Sequence, residues 1–134
     1  MGKILSLILI AVVFSGCNVG NNSAVVQTPV VSVESQIKAT LVLDFGGEEV
    51  STFSGISAEN AYEALVLATT ENDISLSSKQ YDFGILVESI GDKKNSKDLA
   101  WIYYVNGKSP DVGADKYELK NGDVVEWKYQ KPDF

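Results

Sequence analysis

The sequence predicts an α+β domain in which one helix packs on a curved, mostly antiparallel sheet. Three observations predict it. Several short runs alternate apolar with polar residues, the mark of half-buried strands. A single run, beginning near residue 57, instead repeats its apolar residues at steps of three and four. Two Asn-Gly pairs, at 106–107 and 121–122, signal tight turns between strands.

The elements follow in order. Ile37, Ala39, Leu41, Leu43 and Phe45 share one face of a first strand, with Lys38, Thr40 and Asp44 on the other. Gly46-Gly47 supplies the positive φ of a hairpin turn, and "EEVSTFS" returns as a weaker strand. Ser57 is the expected N-cap, with Glu59 in the first turn complementing the helix dipole. Ala61, Tyr62, Leu65 and Ala68 form one stripe of that helix, which places Tyr62 in the core, and Asn72 is the expected stop. In "ISLSSKQYDFGILVESIGD", Phe83, Ile85 and Val87 alternate with Leu86, Glu88 and Ile90. Residues 92–98 read as a charged, solvated loop. Residues 99–105 form the next strand, with Trp101, Tyr103 and Val105 on one face and Ile102 and Tyr104 on the other. Residues 117–119 are a candidate short strand. The last strand, 124–129, sets Val125, Trp127 and Tyr129 opposite Val124, Glu126 and Lys128. Hairpin, helix, then several strands is the order of a β-grasp domain, in which one helix covers one sheet face.

Composition narrows the function. Eighteen acidic residues face 11 Lys, with no Arg and a net charge of −7. That balance argues against nucleic acid and against a polybasic hold on anionic lipid. There is no His and one Cys, Cys17. An internal disulfide, a Cys/His zinc site and Ser-His-Asp or Cys-His catalysis all lack their atoms. Asp111 and Asp115 do not follow the spacing of a calcium loop and read as turn and capping residues, as does Asp123. Nothing in the placement of carboxylates recommends glycosidase chemistry. The reading is not an enzyme.

The N-terminus carries its own signal. In "MGKILSLILIAVVFSGC", Lys3 precedes an apolar run over residues 4–14, and small residues follow. That run is short of the ~20 residues of a helical span and fits a secretory signal, residues 1–16. "FSGC" resembles the bacterial lipobox, which implies cleavage and diacylglycerol on Cys17. Without Lys3 the balance is 10 basic against 18 acidic residues, a charge of −8. A lipidated Cys17 would anchor the protein to a membrane outside the cytoplasm, at the cell surface or on a periplasmic face. The alternative is a plain signal with an incidental Cys, or an uncleaved anchor. Residues 17–36 then form the lipidated Cys and a flexible tether reaching on the order of 25 Å. The alternative there is an added strand through Val30, Val31 and Val33. Residues 37–134 form the domain.

Three stretches, "SAENAYEAL", "FGILVESIGD" and "WIYYVNGKSPDVGADKYELKNGDVVEWKY", resemble the transcobalamin-like C-terminal domain, also called DUF4430. The shared pattern is an aromatic strand ending in Val-Asn-Gly, a Val-Gly-Ala-Asp loop and a Gly-Asp turn before the last strand. The resemblance runs from Ser57 to Tyr129 and implies a β-grasp fold. It also implies cobalamin as a possible ligand, since in vertebrate cobalamin carriers such a domain closes on a helical partner with the ligand between them. No such helical domain stands in this chain, so a separate helical protein is an implied partner. Candidate binding residues are Trp101, Tyr103, Tyr104, Asn106 and Trp127. Two readings of these rings stand: core plus ordinary exposed tyrosines, or a recognition surface. Two functions follow: capture of a small molecule such as a corrinoid, or docking on a protein or polymer through a sheet edge or aromatic face.

Overall fold

A computed structural model describes residues 36–47 and 49–133. Cys17, the signal segment, the tether up to residue 35 and its possible strand lie outside the described residues. Among the described residues no helix is long and apolar enough to cross a membrane.

The described chain is α+β. Its elements are β1 (Ala39–Asp44), β2 (Val50–Ile56), α1 (Ala61–Glu71), β3 (Leu76–Tyr81), β4 (Gly84–Ile90), β5 (Lys93–Lys94), β6 (Ala100–Val105) and β7 (Val124–Gln130). The strands divide between two sheets rather than one, in the orders β2-β1-β7-β6 and β3-β4-β5. All neighbouring pairs are antiparallel except β1 and β7, which run parallel with Leu41 opposite Val125 and Leu43 opposite Trp127. One side chain shows why the sheets stay apart. Between β4 and β6, Asn95 Nδ2 donates to the Val87 carbonyl at 2.9 Å, and the Trp101 amide donates to Asn95 Oδ1 at 2.9 Å. The amide group thus takes the place of a direct ladder bond.

The core face of the larger sheet carries Leu41, Leu43, Val125, Trp127, Trp101 and Val105, all buried. Against it lie Ala61, Ala64, Leu65 and Ala68 of α1, with Val87 and Ile90 of β4 in the same cluster. Fully burying a Leu of this set stabilises by about 1.5–3 kcal/mol. The three alanines among these helix residues keep the helix close to the sheet. Tyr62 is only partly buried, and its hydroxyl pairs with Ser78 Oγ at 2.6 Å.

Several expectations shift. The helix N-cap is Asn60, not Ser57: its side chain accepts from the Glu63 amide at 2.8 Å, and Glu63 Oε2 accepts from the Glu59 amide at 2.7 Å. Asn60 is a stronger cap than its place inside an apparently helical run suggested. The alternation of 83, 85 and 87 against 86, 88 and 90 fails. A register shift between Ser77 and Ser78 inserts an extra β4 residue, so Val87 and Ile90 are both buried while Ile85 is half-buried. The charged loop contains the two-residue strand β5. The short strand expected at 117–119 reduces to one bridge, Asn60 with Glu118.

Candidate functional site

The loop after β6 shapes the site, and the helix start positions the loop. The first helical amides need partners outside the helix. Ala61 N donates to the Tyr117 carbonyl at 3.2 Å and Tyr62 N to the Ala114 carbonyl at 3.0 Å. Leu119 N returns to the Glu59 carbonyl at 2.9 Å. A second clamp joins the loop to β4. Asp115 Oδ1 accepts from the Ile85 amide at 2.9 Å, and a Cβ on Gly113 would stand 3.0 Å from the Gly84 Cα. Two glycines therefore let the loop and the β3–β4 turn touch backbone to backbone.

These clamps leave a cleft of about 320 Å³ between β4, β6 and residues 109–114. Its walls are mostly apolar, and Phe83, Leu86, Trp101, Tyr103, Val112 and Trp127 are among them. Phe83 is 63% exposed and Val112 47%, so the rim offers apolar area to whatever approaches. The Phe83 ring stacks on Tyr81, with centroids 5.2 Å apart. Among the described residues, Asp111 is the one charged residue in the lining. A second hollow of about 690 Å³, lined by Val105, Asn106, Lys108 and Tyr117, lies against the same residues 109–112. The loop therefore separates the two. A third, of about 340 Å³, sits away from the rings beside Gln36, Ser57, Glu59 and Glu63.

Within the floor of the cleft, Tyr103 and Trp127 are cross-strand partners with rings 5.4 Å apart. Trp101 pairs likewise with Tyr129 and meets Phe45 edge-on, each at 5.4 Å. The two indoles differ. Trp101 Nε1 donates to the Lys93 carbonyl at 2.9 Å. Trp127, 2% exposed, has a buried Nε1 with no hydrogen-bond partner among the described residues. An unpaired buried N–H costs about 1–3 kcal/mol.

The Tyr103 hydroxyl donates to the Val112 carbonyl and so ties the loop to β6. Burial, then the neighbouring Tyr117 and Asp115, push its pKa up to about 12 from 10.0. The unfolded chain releases this proton near 10 and the folded chain near 12, so between the two the folded state holds more protons. Its stabilising effect is intact below pH ~10 and falls as pH rises toward ~12. Urea unfolding across that range is expected to show a steeper alkaline loss for the unaltered protein than for Tyr103→Phe. Equal slopes would rule out Tyr103 as the responsible group.

Of the residues expected to bind, Trp101, Tyr103 and Trp127 come together in the cleft. Tyr104 does not: it lies on the opposite sheet face, under Lys128 Nζ at 5.2 Å from its ring. Asn106 borders the neighbouring hollow, and its side chain is engaged with Asp123 and Val124. Sequence reasoning missed Phe83, Leu86 and Val112. Phe83 sat in an alternating run that read as a strand, and only its place between Asp82 and Gly84 hinted at a turn. Among the described residues no three His, Cys, Asp or Glu side chains gather to hold a metal ion.

The family model described as a domain of unknown function, DUF4430, matches residues 60–131, from the helix cap to the end of β7. The chain belongs to the DUF4430 family. The match takes in α1, both loop clamps and every cleft residue. Two solved structures share the fold of this DUF4430 chain at 16% identity. One is a proposed metal-binding protein from Ruminococcus gnavus ATCC 29149, with a TM-score of 0.60 over 72% of this chain and 99% of that one. The other is haptocorrin in complex with Cbi, with a TM-score of 0.63 over 74% of this chain. That likeness takes in 26% of haptocorrin, so this chain spans about a quarter of that protein. No curated protein matches the chain.

Proposed function

We propose that this chain is a non-catalytic binding module of β-grasp type, held outside the cytoplasm by lipid on Cys17, which grips the edge of a small amphipathic molecule in the ring-lined cleft. The observation that carries the reading is the cleft itself: an apolar, aromatic hollow, shaped by two backbone clamps, with exposed Phe83 and Val112 at its rim. Sites for small molecules are concave and mostly apolar with few polar groups, as here. The likeness to haptocorrin in complex with Cbi makes a corrinoid the leading candidate.

Magnitude limits the reading. A hollow of about 320 Å³ is at the low end of the ~300–1,000 Å³ of ligand pockets. A corrinoid is far larger, so this module alone would cover one edge of it. Tight capture then calls for a second wall, and a separately encoded helical domain is the partner that would supply it. Calorimetric titration of the full chain with cobinamide and with cobalamin tests this. Saturable heats with Kd between about 1 μM and 1 mM are expected, equivalent to about 4–8 kcal/mol. Heats equal to dilution would remove stand-alone corrinoid capture.

One observation favours a second reading. Tyr81 and Phe83 stack on each other while exposed, at the tip of the β3–β4 hairpin. An aromatic tip of this kind suits docking on a protein or surface polymer. Loss of partner binding in Phe83→Ser with corrinoid titration silent in both proteins would favour it.

A further inference from the structure

We propose that the outer edge of β2 is a docking site for an extended protein segment, uncharged in its middle and basic at both ends, which adds to the larger sheet as a fifth strand. The site is separate from the cleft, whose walls come from β4, β6, β7 and the loops beside them. Four strands end the two sheets: β2 and β6 in the larger, β3 and β5 in the smaller. Three of them are guarded. β6 is bridged to β4 by the Asn95 amide group. β5 is two residues long, both lysine, and its carbonyls accept from Trp101 Nε1 and the Tyr129 hydroxyl. β3 carries Lys79 and a register shift at Ser77 and Ser78. Shortness, lysines and bulges are how sheets keep their edges from pairing. β2 has none of these over residues 50–54. The stretch "VSTFS" is uncharged, lacks Pro and keeps one register against β1 up to Gly55.

The register says which backbone groups face outward. Phe45 N donates to the Glu49 carbonyl at 2.9 Å, so those two residues form a hydrogen-bonded pair. Such pairs alternate along an antiparallel ladder, which turns Glu49, Ser51 and Phe53 toward β1 and the N–H and C=O of Val50, Thr52 and Ser54 away from it. Among the described residues β2 has no strand on that side, and no other backbone bond reaches those three. Donors and acceptors alternating at strand spacing match the backbone of an extended polypeptide. An added strand would also cover Phe53, which is only partly buried against the core. Charge sets the ends of the segment. Beside Val50 stand Asp44 and Glu49, and Lys128, next to Asp44 on β7, is already paired to Glu126 Oε2 at 3.2 Å. Beyond Ile56 stand Glu59, Glu63 and Glu118 against Lys38 and Lys120. Acids outnumber cations at both ends. A second copy pairing β2 with β2 antiparallel would lay one acidic end on the other, in a chain of net charge −7. A segment with cations at its ends meets the opposite charge there.

The test reads amide hydrogen exchange in the full chain, ¹⁵N-labelled and kept dispersed in mild detergent. In the free protein the amides of Val50, Thr52 and Ser54 are expected to exchange fast, and those of Ser51 and Phe53 slowly. The probe is the capped peptide KVTVTVK, with EVTVTVE as its acidic counterpart. KVTVTVK is expected to bind saturably and to slow the exchange of the three outward amides. Two further forms of it are N-methylated on alternate amides. Only the form whose free amides face β2 is expected to bind, because strand addition uses one edge of the peptide. Thr52→Pro removes the central outward donor and leaves the β1 ladder intact, a position where an edge strand tolerates proline. It is expected to weaken KVTVTVK roughly tenfold. Phe83→Ser is expected to bind the peptide as the parent does, which separates this edge from the aromatic tip. Slow exchange at the three amides in the free chain overturns the proposal, since the edge would already be covered by the chain itself or a second copy. Equal binding of both N-methylated forms, or no binding of KVTVTVK, also overturns it. Equal affinity for EVTVTVE overturns the basic class of partner.

Discussion

Gly84→Ala is expected to destabilise the domain by roughly 2–4 kcal/mol and to spoil the cleft at the same time. Gly84 has φ +135, a conformation costly for any residue with a Cβ. The added carbon would also stand 2.6 Å from Asp115 Oδ1 and 3.0 Å from the Gly113 Cα. Neither neighbour can yield freely. Gly113 is backbone, and the Asp115 carboxylate is held by the Ile85 amide at 2.9 Å. The β3–β4 turn and the loop must therefore part, carrying Phe83 away from Val112. For a domain of this size the loss corresponds to a fall in melting temperature of roughly 8–30 °C. Gly113→Ala meets the same partners, with Asp115 Oδ1 at 2.7 Å and the Phe83 carbonyl at 3.0 Å. The double variant is therefore expected to lose less than the sum of the singles, because one separation relieves both clashes. Thermal unfolding of the three proteins checks this. Melting within about 2 °C of the parent would show that the two backbones do not need each other.

Where the sequence was legible, a local rule was at work. Leu41 and Leu43 are buried as their alternation predicts, because one sheet face meets the helix; for residues 101–105 alternation gave two faces without saying which is inside, and the structure buries Trp101 and Val105. The turn at Asn106-Gly107 is as expected, with φ of 50 and 77 and a bond from the Val105 amide to the Lys108 carbonyl at 2.8 Å. The failures are non-local. Nothing in the residue order says that β1 lies parallel to β7, since those strands stand at opposite ends of the domain's sequence. The division into two sheets depends on Asn95, an ordinary residue of a polar loop until its amide is seen spanning Val87 and Trp101.

The candidate site was legible in its floor and not in its walls. Trp101, Tyr103 and Trp127 lie in strands, where period and register put them on one face. Phe83 and Val112 come from two loops 29 positions apart in the sequence, brought together by a glycine contact and one carboxylate. No periodicity encodes that meeting. Tyr104 was chosen for its chemistry alone, and its position in the strand sends it to the opposite face. Asn106 was chosen because it ends the aromatic strand, yet its own contacts give it a different task.

That task predicts the second large effect: Asn106→Ala is expected to cost about 2–4 kcal/mol with little change in ligand affinity. Asn106 Nδ2 donates to Asp123 Oδ1 at 2.8 Å, and Asn106 Oδ1 accepts from the Val124 amide at 3.0 Å. Asp123 Oδ2 accepts from the Lys120 amide at 2.8 Å. One side-chain pair thus fastens both Asn-Gly turns and fixes where β7 begins beside β6. Asp123 is 8% exposed, so removing its donor leaves a mostly buried carboxylate short of a partner. Alanine would also have to hold φ +50, which asparagine tolerates better. Asn106→Gly separates the two costs, since it accepts the backbone angle and loses only the side chain. It is therefore expected to fall between the parent and alanine. Asn106→Asp keeps the acceptor for Val124 but replaces a donor with a second carboxylate facing Asp123. At neutral pH it is expected to be the least stable of the three, because the lost hydrogen bond becomes a repulsion in a poorly solvated place. Urea unfolding of the set gives the order parent, glycine, alanine, aspartate. An alanine variant of parental stability that no longer binds cobinamide would reverse the assignment and return Asn106 to the ligand.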